Sequence, residues 1–581
     1  MLDLFGYKRR QTSVARIGDT PLGSDYPIRI QSMASVSTMD TEASIGQAVR
    51  IIDAGADYVR FTAQGVREAA NLAQIRAGLT ALGYHAPLVA DIHFNPKAAD
   101  EALLHVEKVR INPGNFVESK ADDTLTEEEA FDKGHRAVVE RFGAFVQEAA
   151  RLGRAIRIGV NHGSLSERML RRYGDTAEGM VESCMEFLDV CRAQQFDDVV
   201  ISMKASNTLV MTAAVRLLVE RMDAAGIAFP LHLGVTEAGD GEDGRIKSAV
   251  GIGSLLADGI GDTIRVSLSE DPEYEVPVAR KLVAYIKGRS NHPAIILPHP
   301  EQYDRNRLQR QETVAVGNLI GGKHTPIVLS DRSKGGTDFD ADLQPDIILR
   351  SDGSYYQGEN LLADLHFLPL RLSDLTEKRL QTLKTTPDTV LIIEATGINP
   401  VAEWRAAFLL MEQAGCNCPV ILHRRYDAAE LEDVQLQAAA DMGTLLLEGR
   451  GNGLMIAADR QPAADIDRLA FGILQATRLR MSRTEYISCP GCGRTLYNLQ
   501  ETVARIKAAT AHLKELKIGI MGCIVNGPGE MADADYGYVG AGPGRIDLYK
   551  QKVCVRRGIP QEEAVQQLVD LIKENGDWKE R

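Results

Sequence analysis

The first half of the chain alternates short apolar runs with longer amphipathic segments, and this alternation limits the possible folds more than any other feature. Eight runs have the length and residue types of β-strands, and each precedes a segment with helical periodicity. The predicted strands are 28–33, 58–62, 88–93, 108–112, 155–160, 199–204, 231–236 and 263–267. Eight such units over about 260 residues match a (β/α)8 barrel, and a doubly wound open sheet is the alternative.

The rest of the chain divides into two further segments. After residue 288 a stretch rich in Pro and His indicates a linker, and the residues beyond it predict a helix over 400–414. Further strands are predicted at 327–330, 346–350, 390–394, 420–423 and 444–448. We therefore predict an α/β protein with a barrel at 1–288, an inserted α/β domain at 289–481, and a small α/β domain at 482–581. The insert, an incomplete or degenerate barrel, is interpreted as a spacer.

Composition excludes several classes of function. A formal net charge of −14 argues against a general nucleic-acid-binding protein, which normally carries a basic domain. No apolar run approaches the ~20 residues of a membrane span. Eight cysteines among 581 residues do not form a disulfide framework and favour a reducing compartment. We expect a cytoplasmic protein with neither nucleic-acid nor membrane partners.

Cations occur at the carboxyl ends of five predicted barrel strands. They are Arg60, Arg110, Arg157, Lys204 and Arg265. Strand ends in a barrel converge on one mouth, where active sites lie. A single such arginine is commonly a rim salt bridge, but five at one mouth of an acidic protein predict a strongly anionic ligand. Arginine forks suit phosphate oxygens, and several suit a diphosphate.

Other polar residues share these strand ends and complete the predicted site. They are Asp91, His93, Asn112, Asn161, Ser206, Asn207, Glu237 and Ser267. Two interpretations of Asp91 and Glu237 stay open, because a carboxylate among arginines can neutralise them or act as an acid or base. His93 similarly has a structural and a functional interpretation.

A cysteine motif near the end of the chain predicts a metal centre. Cys489 and Cys492 form a CxxC pair, Cys523 follows, and Glu530 lies shortly beyond it. Thiolates favour zinc or an iron–sulfur cluster. Three thiolates and one carboxylate give four unequal ligands, and the harder oxygen leaves one iron easy to free. Zinc and a redox-active dithiol are the alternatives, although structural zinc sites mostly use cysteine and histidine.

Two groups of motifs together resemble the 4-hydroxy-3-methylbut-2-en-1-yl diphosphate synthase family of the non-mevalonate isoprenoid pathway. The cysteine-bearing motifs are SCPGC at 488–492 and GCIVNGPGE at 522–530. The barrel motifs are IQSM at 30–33, DIHF at 91–94, VRINPGN at 109–115, RIGVN at 157–161, SMKAS at 202–206 and GVTEAG at 234–239. The resemblance covers about the first 290 and the last 100 residues.

The resemblance implies a barrel that binds 2-C-methyl-D-erythritol 2,4-cyclodiphosphate and a C-terminal domain that carries a [4Fe–4S] cluster. By this resemblance Cys489, Cys492, Cys523 and Glu530 hold the cluster. Two electrons, delivered singly by ferredoxin or flavodoxin, open the cyclic diphosphate and expel the C3 oxygen as water. The five cations bind the diphosphate with help from Asn161 and Ser267, and Glu237 supplies protons as a general acid. Glu530 is the exchangeable ligand, where iron meets the substrate oxygen.

The inserted domain departs from the short form of this family and resembles its long, three-domain form. In the short form a dimer brings the cluster domain of one subunit over the barrel of the other. In the long form the insert is expected to let one chain close on itself, so a monomer or a homodimer is predicted. A zinc-stabilised barrel that binds a phosphorylated metabolite without turnover is the alternative function.

Overall fold

The computed structural model describes residues 2–117, 125–307, 309–336, 338–340, 342–524 and 527–580. The chain forms two compact units. The barrel unit comprises 10–244, 261–280 and 483–581, and the insert unit comprises 1–9, 245–260 and 281–482. None of the described helices is both long and apolar enough to cross a membrane.

Eight parallel strands form the barrel. They are β1 (Arg29–Met33), β2 (Tyr58–Thr62), β3 (Leu88–Asp91), β4 (Lys108–Ile111), β5 (Ala155–Asn161), β6 (Val199–Lys204), β7 (His232–Leu233) and β8 (Thr263–Ile264). They pair in the order β6-β5-β4-β3-β2-β1-β8-β7, and a parallel bridge between Ile201 and Leu231 joins β6 to β7. The predicted (β/α)8 barrel is confirmed.

The last two barrel strands are shorter than predicted. Both β7 and β8 have two residues. Single backbone hydrogen bonds continue the pairing beyond them, from Arg265 N to Leu233 O (2.9 Å) and from Thr236 N to Ala205 O (3.2 Å). The predicted segments therefore stay in the barrel wall, but their ladder becomes irregular where the chain enters the site.

Helices follow the barrel strands along the chain. They are α1 (Thr41–Asp53), α2 (Val66–Ala81), α3 (Pro96–Leu103), α4 (Pro113–Phe116), α5 (Glu127–Leu152), α6 (Glu167–Tyr173), α7 (Ala177–Ala193), α8 (Thr208–Ala224), α9 (Gly241–Ala257) and α10 (Glu275–Lys287). Several begin at a polar cap, as Thr126 does for α5 by accepting from Glu129 N at 3.3 Å. Such caps fix the points at which the chain leaves the strand ends.

The insert unit contains a second sheet. Its strands are β9 (Ile327–Asp331), β10 (Ile347–Leu349), β11 (Tyr355–Gln357), β12 (Asn360–Leu361), β13 (His366–Arg371), β14 (Thr389–Glu394), β15 (Val420–Arg425) and β16 (Gly453–Ala457). They pair in the order β12-β11-β10-β9-β16-β15-β14-β13. Its remaining helices are α11 (Glu377–Thr385), α12 (Pro400–Ala414), α13 (Leu431–Leu447) and α14 (Ala463–Ala476).

One predicted strand of the insert is wrong. Most of residues 444–448 belong to the C-terminal part of α13, and the strand lies further on, at β16. The run is apolar because this part of α13 is buried on every side. A short, continuous apolar run does not distinguish a buried helix from a buried strand.

The C-terminal part of the barrel unit is a five-stranded sheet with its own core. Its strands are β17 (Glu485–Ser488), β18 (Lys517–Met521), β19 (Tyr536–Gly542), β20 (Arg545–Lys550) and β21 (Val553–Pro560), paired in that order. Its helices are α15 (Leu499–Thr510), α16 (Gly527–Glu530) and α17 (Gln561–Glu574). Because β17 and β18 are parallel neighbours, Cys489 and Cys523 follow the same edge of the sheet.

Candidate active site

A cavity that is partly open to solvent lies between the barrel mouth and the cysteine-bearing segments, and the space between its walls, including the open part, is about 680 Å³. Most of the residues predicted to form the site line it. They are Arg60, Asp91, His93, Arg110, Arg157, Asn161, Lys204, Glu237, Arg265, Ser267, Cys489, Cys492, Cys523 and Glu530. The structure therefore brings the predicted diphosphate residues and the predicted metal ligands together.

Three predicted site residues lie outside the cavity lining. Asn112 accepts a hydrogen bond from Gly114 N (3.2 Å) as the N-cap of α4. Asn207 accepts one from Leu209 N (3.0 Å) as the N-cap of α8. Ser206 donates to the backbone oxygen of Glu530 at 3.2 Å. The two asparagines thus shape the loops around the mouth, and Ser206 joins the barrel to the C-terminal segment.

Asp91 lies among the cations of the barrel mouth and is fully buried. Its carboxylate is 3.2 Å from Arg110, 3.5 Å from Arg60 and 3.9 Å from Arg157. Burial by itself raises the pKa of Asp91, but the nearby positive groups hold that pKa well below its ordinary value. Asp91 is therefore an anion that holds three guanidinium groups together, which favours the neutralising interpretation of this residue.

His93 is buried beside the same carboxylate. Its Nε2 lies 3.2 Å from Asp91 Oδ2 and 3.0 Å from Arg110 Nη1. Burial and the charge of Arg494 lower the pKa of His93 to about 3, outweighing the opposite effect of Asp91. His93 is therefore neutral at physiological pH.

Arg265 is held by a carboxylate that sequence reasoning missed. Glu275 accepts from Arg265 Nε (3.1 Å) and Nη2 (3.0 Å) in a buried two-pronged ion pair. The same carboxylate also accepts from Ser32 Oγ at 3.0 Å and Leu268 N at 3.1 Å. No motif predicts this contact, because Glu275 opens α10 and looks like an ordinary acidic residue of a first helical turn.

Two glycines leave room for the cations. A Cβ on Gly234 would lie 2.7 Å from Lys204 Nζ, closer than real side chains approach. A Cβ on Gly159 would collide with Arg110 Nε in the same way. Because neither glycine has a side chain, the barrel wall leaves space for the side chains of Lys204 and Arg110.

Glu237 lies on the loop after β7 and combines burial with an unusual backbone. Its φ is +47°, in the left-handed region, and the residue is 5% exposed. A left-handed non-glycine residue is costly and recurs at functional sites, where the surrounding structure enforces it. Glu237 is one of the residues that line the cavity.

Asn161 and Glu530 connect the barrel to the C-terminal segment. Asn161 Nδ2 donates to Glu530 Oε1 at 2.5 Å, and Arg110 Nη2 donates to Asn161 Oδ1 at 3.0 Å. Glu530 is 8% exposed. The predicted carboxylate ligand is therefore positioned by a barrel residue as well as by its own helix.

The three cysteines line the cavity from the C-terminal side. Cys489 Sγ accepts a hydrogen bond from Gly522 N at 3.2 Å. Among the described residues, no three His, Cys, Asp or Glu side chains are close enough to share a single metal ion. A zinc ion requires all of its ligands within about 2.0–2.3 Å, whereas a four-iron cluster spreads its ligands over several iron atoms. The donor types, three thiolates and one carboxylate, are compatible with an iron–sulfur cluster.

Arg494 is a further cavity residue that sequence reasoning missed. It is 8% exposed and lies 3.9 Å from Asp91. Burial lowers the pKa of Arg494, but the nearby Cys492 and Asp91 outweigh that effect and raise it. Its position directly after the CPGCG segment could have indicated a role in the site, because a cation beside thiolates stabilises their negative charge. Arg494 adds positive charge to the cavity from the C-terminal side.

Further contacts hold the C-terminal segment over the barrel mouth. Ser269 Oγ donates to Cys489 O at 2.9 Å, and Lys507 forms an ion pair with Asp240 at 2.5 Å. The backbone of Gly163 also packs directly on Gly529. One chain therefore supplies both sides of the cavity.

The fold and the cavity define a class of protein: a (β/α)8 barrel with a cation-lined mouth, covered by a cysteine-bearing domain of the same chain. Residues 12–280 match the family model described as GcpE TIM-barrel domain, and residues 485–574 match the one described as GcpE protein C-terminal domain. The chain belongs to the GcpE family.

Curated relatives cover the whole chain. A Porphyromonas gingivalis protein is 78% identical, over 100% of both chains. A Parabacteroides distasonis protein is 56% identical, and the match covers 99% of each chain. A Bacteroides fragilis protein is 53% identical, and the match covers 100% of this chain and 98% of the relative. All three are named 4-hydroxy-3-methylbut-2-en-1-yl diphosphate synthase (flavodoxin).

These matches confirm the family predicted from the sequence and the prediction that the chain is an enzyme. The predicted function is confirmed at the level of the family, since the relatives are named as flavodoxin-dependent synthases of 4-hydroxy-3-methylbut-2-en-1-yl diphosphate. A zinc-stabilised barrel without turnover finds no support among them.

Proposed function

We propose that this chain reduces 2-C-methyl-D-erythritol 2,4-cyclodiphosphate to (E)-4-hydroxy-3-methylbut-2-enyl diphosphate. One observation carries the proposal: five buried cations and the set of three cysteines and Glu530 line the same cavity. A site for a diphosphate alone needs no thiolates, and a structural metal site has no need of five cations. Their combination supports a reaction in which a diphosphate ester receives electrons.

The barrel cations bind the diphosphate in this proposal. Arg60, Arg110 and Arg157 are held by Asp91, and Arg265 by Glu275, so their side chains are positioned before the ligand arrives. Lys204 is buried among them, and burial together with neighbouring arginines lowers its pKa well below the ordinary value. A dianionic ligand relieves this repulsion. Ser267 and Asn161 add neutral hydrogen-bonding groups at the same mouth.

Cys489, Cys492, Cys523 and Glu530 would hold a [4Fe–4S] cluster. When bound, it supplies single electrons and an iron position that a substrate oxygen can reach. Asn161 holds one oxygen of the Glu530 carboxylate and so limits its rotation. Arg494 balances the negative charge of the thiolates. Flavodoxin, present in the names of the relatives, is the proposed electron donor.

The reaction consumes two electrons and one proton. The bond between the ring carbon and the phosphate oxygen breaks, the diphosphate keeps that oxygen, and the C3 oxygen leaves as water. We assign the proton to Glu237, a buried acidic residue that lines the cavity. The cations hold the diphosphate in place after the ring has opened, and the C-terminal segment covers part of the barrel mouth.

An anaerobic assay with the cyclodiphosphate and reduced flavodoxin tests the proposal. The purified protein is expected to be brown, to contain iron and to form the linear product. Glu530→Gln should keep the fold but lose iron or turnover, whereas Glu501→Gln, on the exposed start of α15, should match the wild type. A colourless protein with stoichiometric zinc and no turnover would refute the proposal.

A further inference from the structure

Lys108 lies inside the barrel, one layer below the cavity. It belongs to β4, two residues before Arg110, so both side chains point to the same face of the strand and are separated by about 7 Å along it. Lys108 is 0% exposed and does not line the cavity. Within the described part of the chain its Nζ has no hydrogen-bond partner, and it lies 4.2 Å above the Tyr58 ring.

His232, on β7, has the same surroundings. It is 1% exposed, and neither ring nitrogen has a hydrogen-bond partner among the described residues. Burial and the nearby cations Lys204, Arg157 and Lys108 hold its pKa well below the ordinary value. A second layer of nitrogen bases therefore lies beneath the cations of the mouth.

The charges around Lys108 are unfavourable in the free protein. Burial and its cationic neighbours Arg157, on β5, and Arg60, on β2, lower the pKa of Lys108 well below the ordinary value. Tyr58, also on β2, offers the face of its ring but no charge. Barrel interiors are ordinarily filled with branched apolar side chains, and an unpaired buried amine costs stability. Packing alone therefore does not explain a lysine here.

We infer that Lys108 is a positioning residue for the diphosphate. It adds a second layer of positive charge below the cations of the mouth when the dianion binds above it. The inference rests on the proposed function. Negative charge at the mouth offsets the repulsion from Arg60 and Arg157, which favours the protonated form of Lys108, and the field of the ammonium group then holds the ligand. In a cyclic diphosphate each phosphorus carries one strongly acidic group, so the ligand does not bind this proton near neutral pH.

Lys108→Met tests the inference in the anaerobic holoenzyme, because methionine keeps the shape of the stem and removes the amine. The KM for the cyclodiphosphate should rise roughly tenfold with kcat within about twofold. The melting temperature should stay the same or rise, since an unpaired buried amine is gone. Tyr58→Phe is the matched control: it keeps the ring against Lys108 and should leave KM unchanged.

Calorimetry in buffers of different ionisation enthalpy supplies a second measurement. Wild-type protein should take up protons on binding the cyclodiphosphate, and Lys108→Met should take up fewer. Unchanged KM and unchanged proton uptake in Lys108→Met would overturn the inference. If Lys108→Met does not fold, Lys108→Gln takes its place in both measurements. A wild-type protein that binds the cyclodiphosphate without proton uptake also overturns the inference. If the wild-type holoenzyme does not turn over the cyclodiphosphate, the proposed function is refuted instead.

Discussion

Asn161 donates a hydrogen bond to Glu530 at 2.5 Å, across 369 positions of the sequence. Asn161 ends a barrel strand, and Glu530 ends a four-residue helix that follows the third cysteine. Arg110 donates to the other end of the same amide at 3.0 Å. A guanidinium group, an amide and a carboxylate thus form one chain of contacts from the diphosphate cations to the proposed cluster ligand.

Replacing Asn161 should therefore affect the cluster side as well as substrate binding. Asn161→Leu keeps the volume but removes the donor to Glu530, and kcat should fall by roughly ten- to a hundredfold. Ser206→Ala is the control, because Ser206 donates to the backbone oxygen of Glu530 rather than to its carboxylate, and its effect should be clearly smaller. Steady-state kinetics and the iron content of both variants test this prediction. Equal kcat values in the two variants would show that the Asn161 amide does not position the Glu530 carboxylate.

A methyl group on Gly234 should disturb the diphosphate site. Gly234→Ala places a Cβ 2.7 Å from Lys204 Nζ and 2.9 Å from Arg265 O, so the lysine must move. KM for the cyclodiphosphate should rise by about tenfold, as expected for the loss of one charged contact. Gly46→Ala on α1, where a Cβ meets nothing within 4 Å, should leave KM unchanged and stabilise the helix by up to about 1 kcal/mol. An unchanged KM in Gly234→Ala would contradict this account of Lys204.

Glu275 is expected to matter for stability and for binding together. Glu275→Gln leaves Arg265 buried without its anion, which should cost roughly 3–5 kcal/mol of unfolding free energy. The freed guanidinium group should also lose its orientation, and KM should rise. Glu273→Gln, whose partner Arg50 is 55% exposed, should cost less than about 1 kcal/mol. Urea unfolding of both variants measures the difference, and similar losses would remove the special role of Glu275.

His93 should make the barrel sensitive to acid. Its folded pKa of about 3 lies below the ordinary value of 6.5, so between these values the unfolded chain binds more protons than the folded chain. The contribution of His93 to unfolding free energy is therefore full above about pH 6.5 and declines as the pH falls towards 3. His93→Gln should lose part of the stability difference between pH 7 and pH 5 in urea titrations. Exposed His85→Gln should keep the wild-type difference, and an unaltered pH dependence in His93→Gln would contradict the assignment.

Much of the barrel was predictable because its signals are local. The predicted bounds of β2 and β6 coincide with the observed ones, since apolar periodicity is read within a few positions. The clustering of the five cations was predictable from the barrel fold, because a closed ring of strands brings the ends of distant strands to one mouth. Asn112 and Asn207 show the limit of such reasoning: an asparagine between a strand and a helix serves equally well as an N-cap or as a ligand contact.

The sequence by itself determined the barrel, the cations at its mouth and the set of three cysteines and a glutamate, because each depends on residue type and short spacing. The tertiary structure alone decided that Asn161 holds Glu530, that Glu275 holds Arg265 and that Arg494 faces Asp91. It also decided that Lys108 is fully buried, with no hydrogen-bond partner for its Nζ in the part of the chain that the structure describes. These contacts join residues far apart in the chain, and their geometry exists only once the barrel has closed and the C-terminal segment covers its mouth.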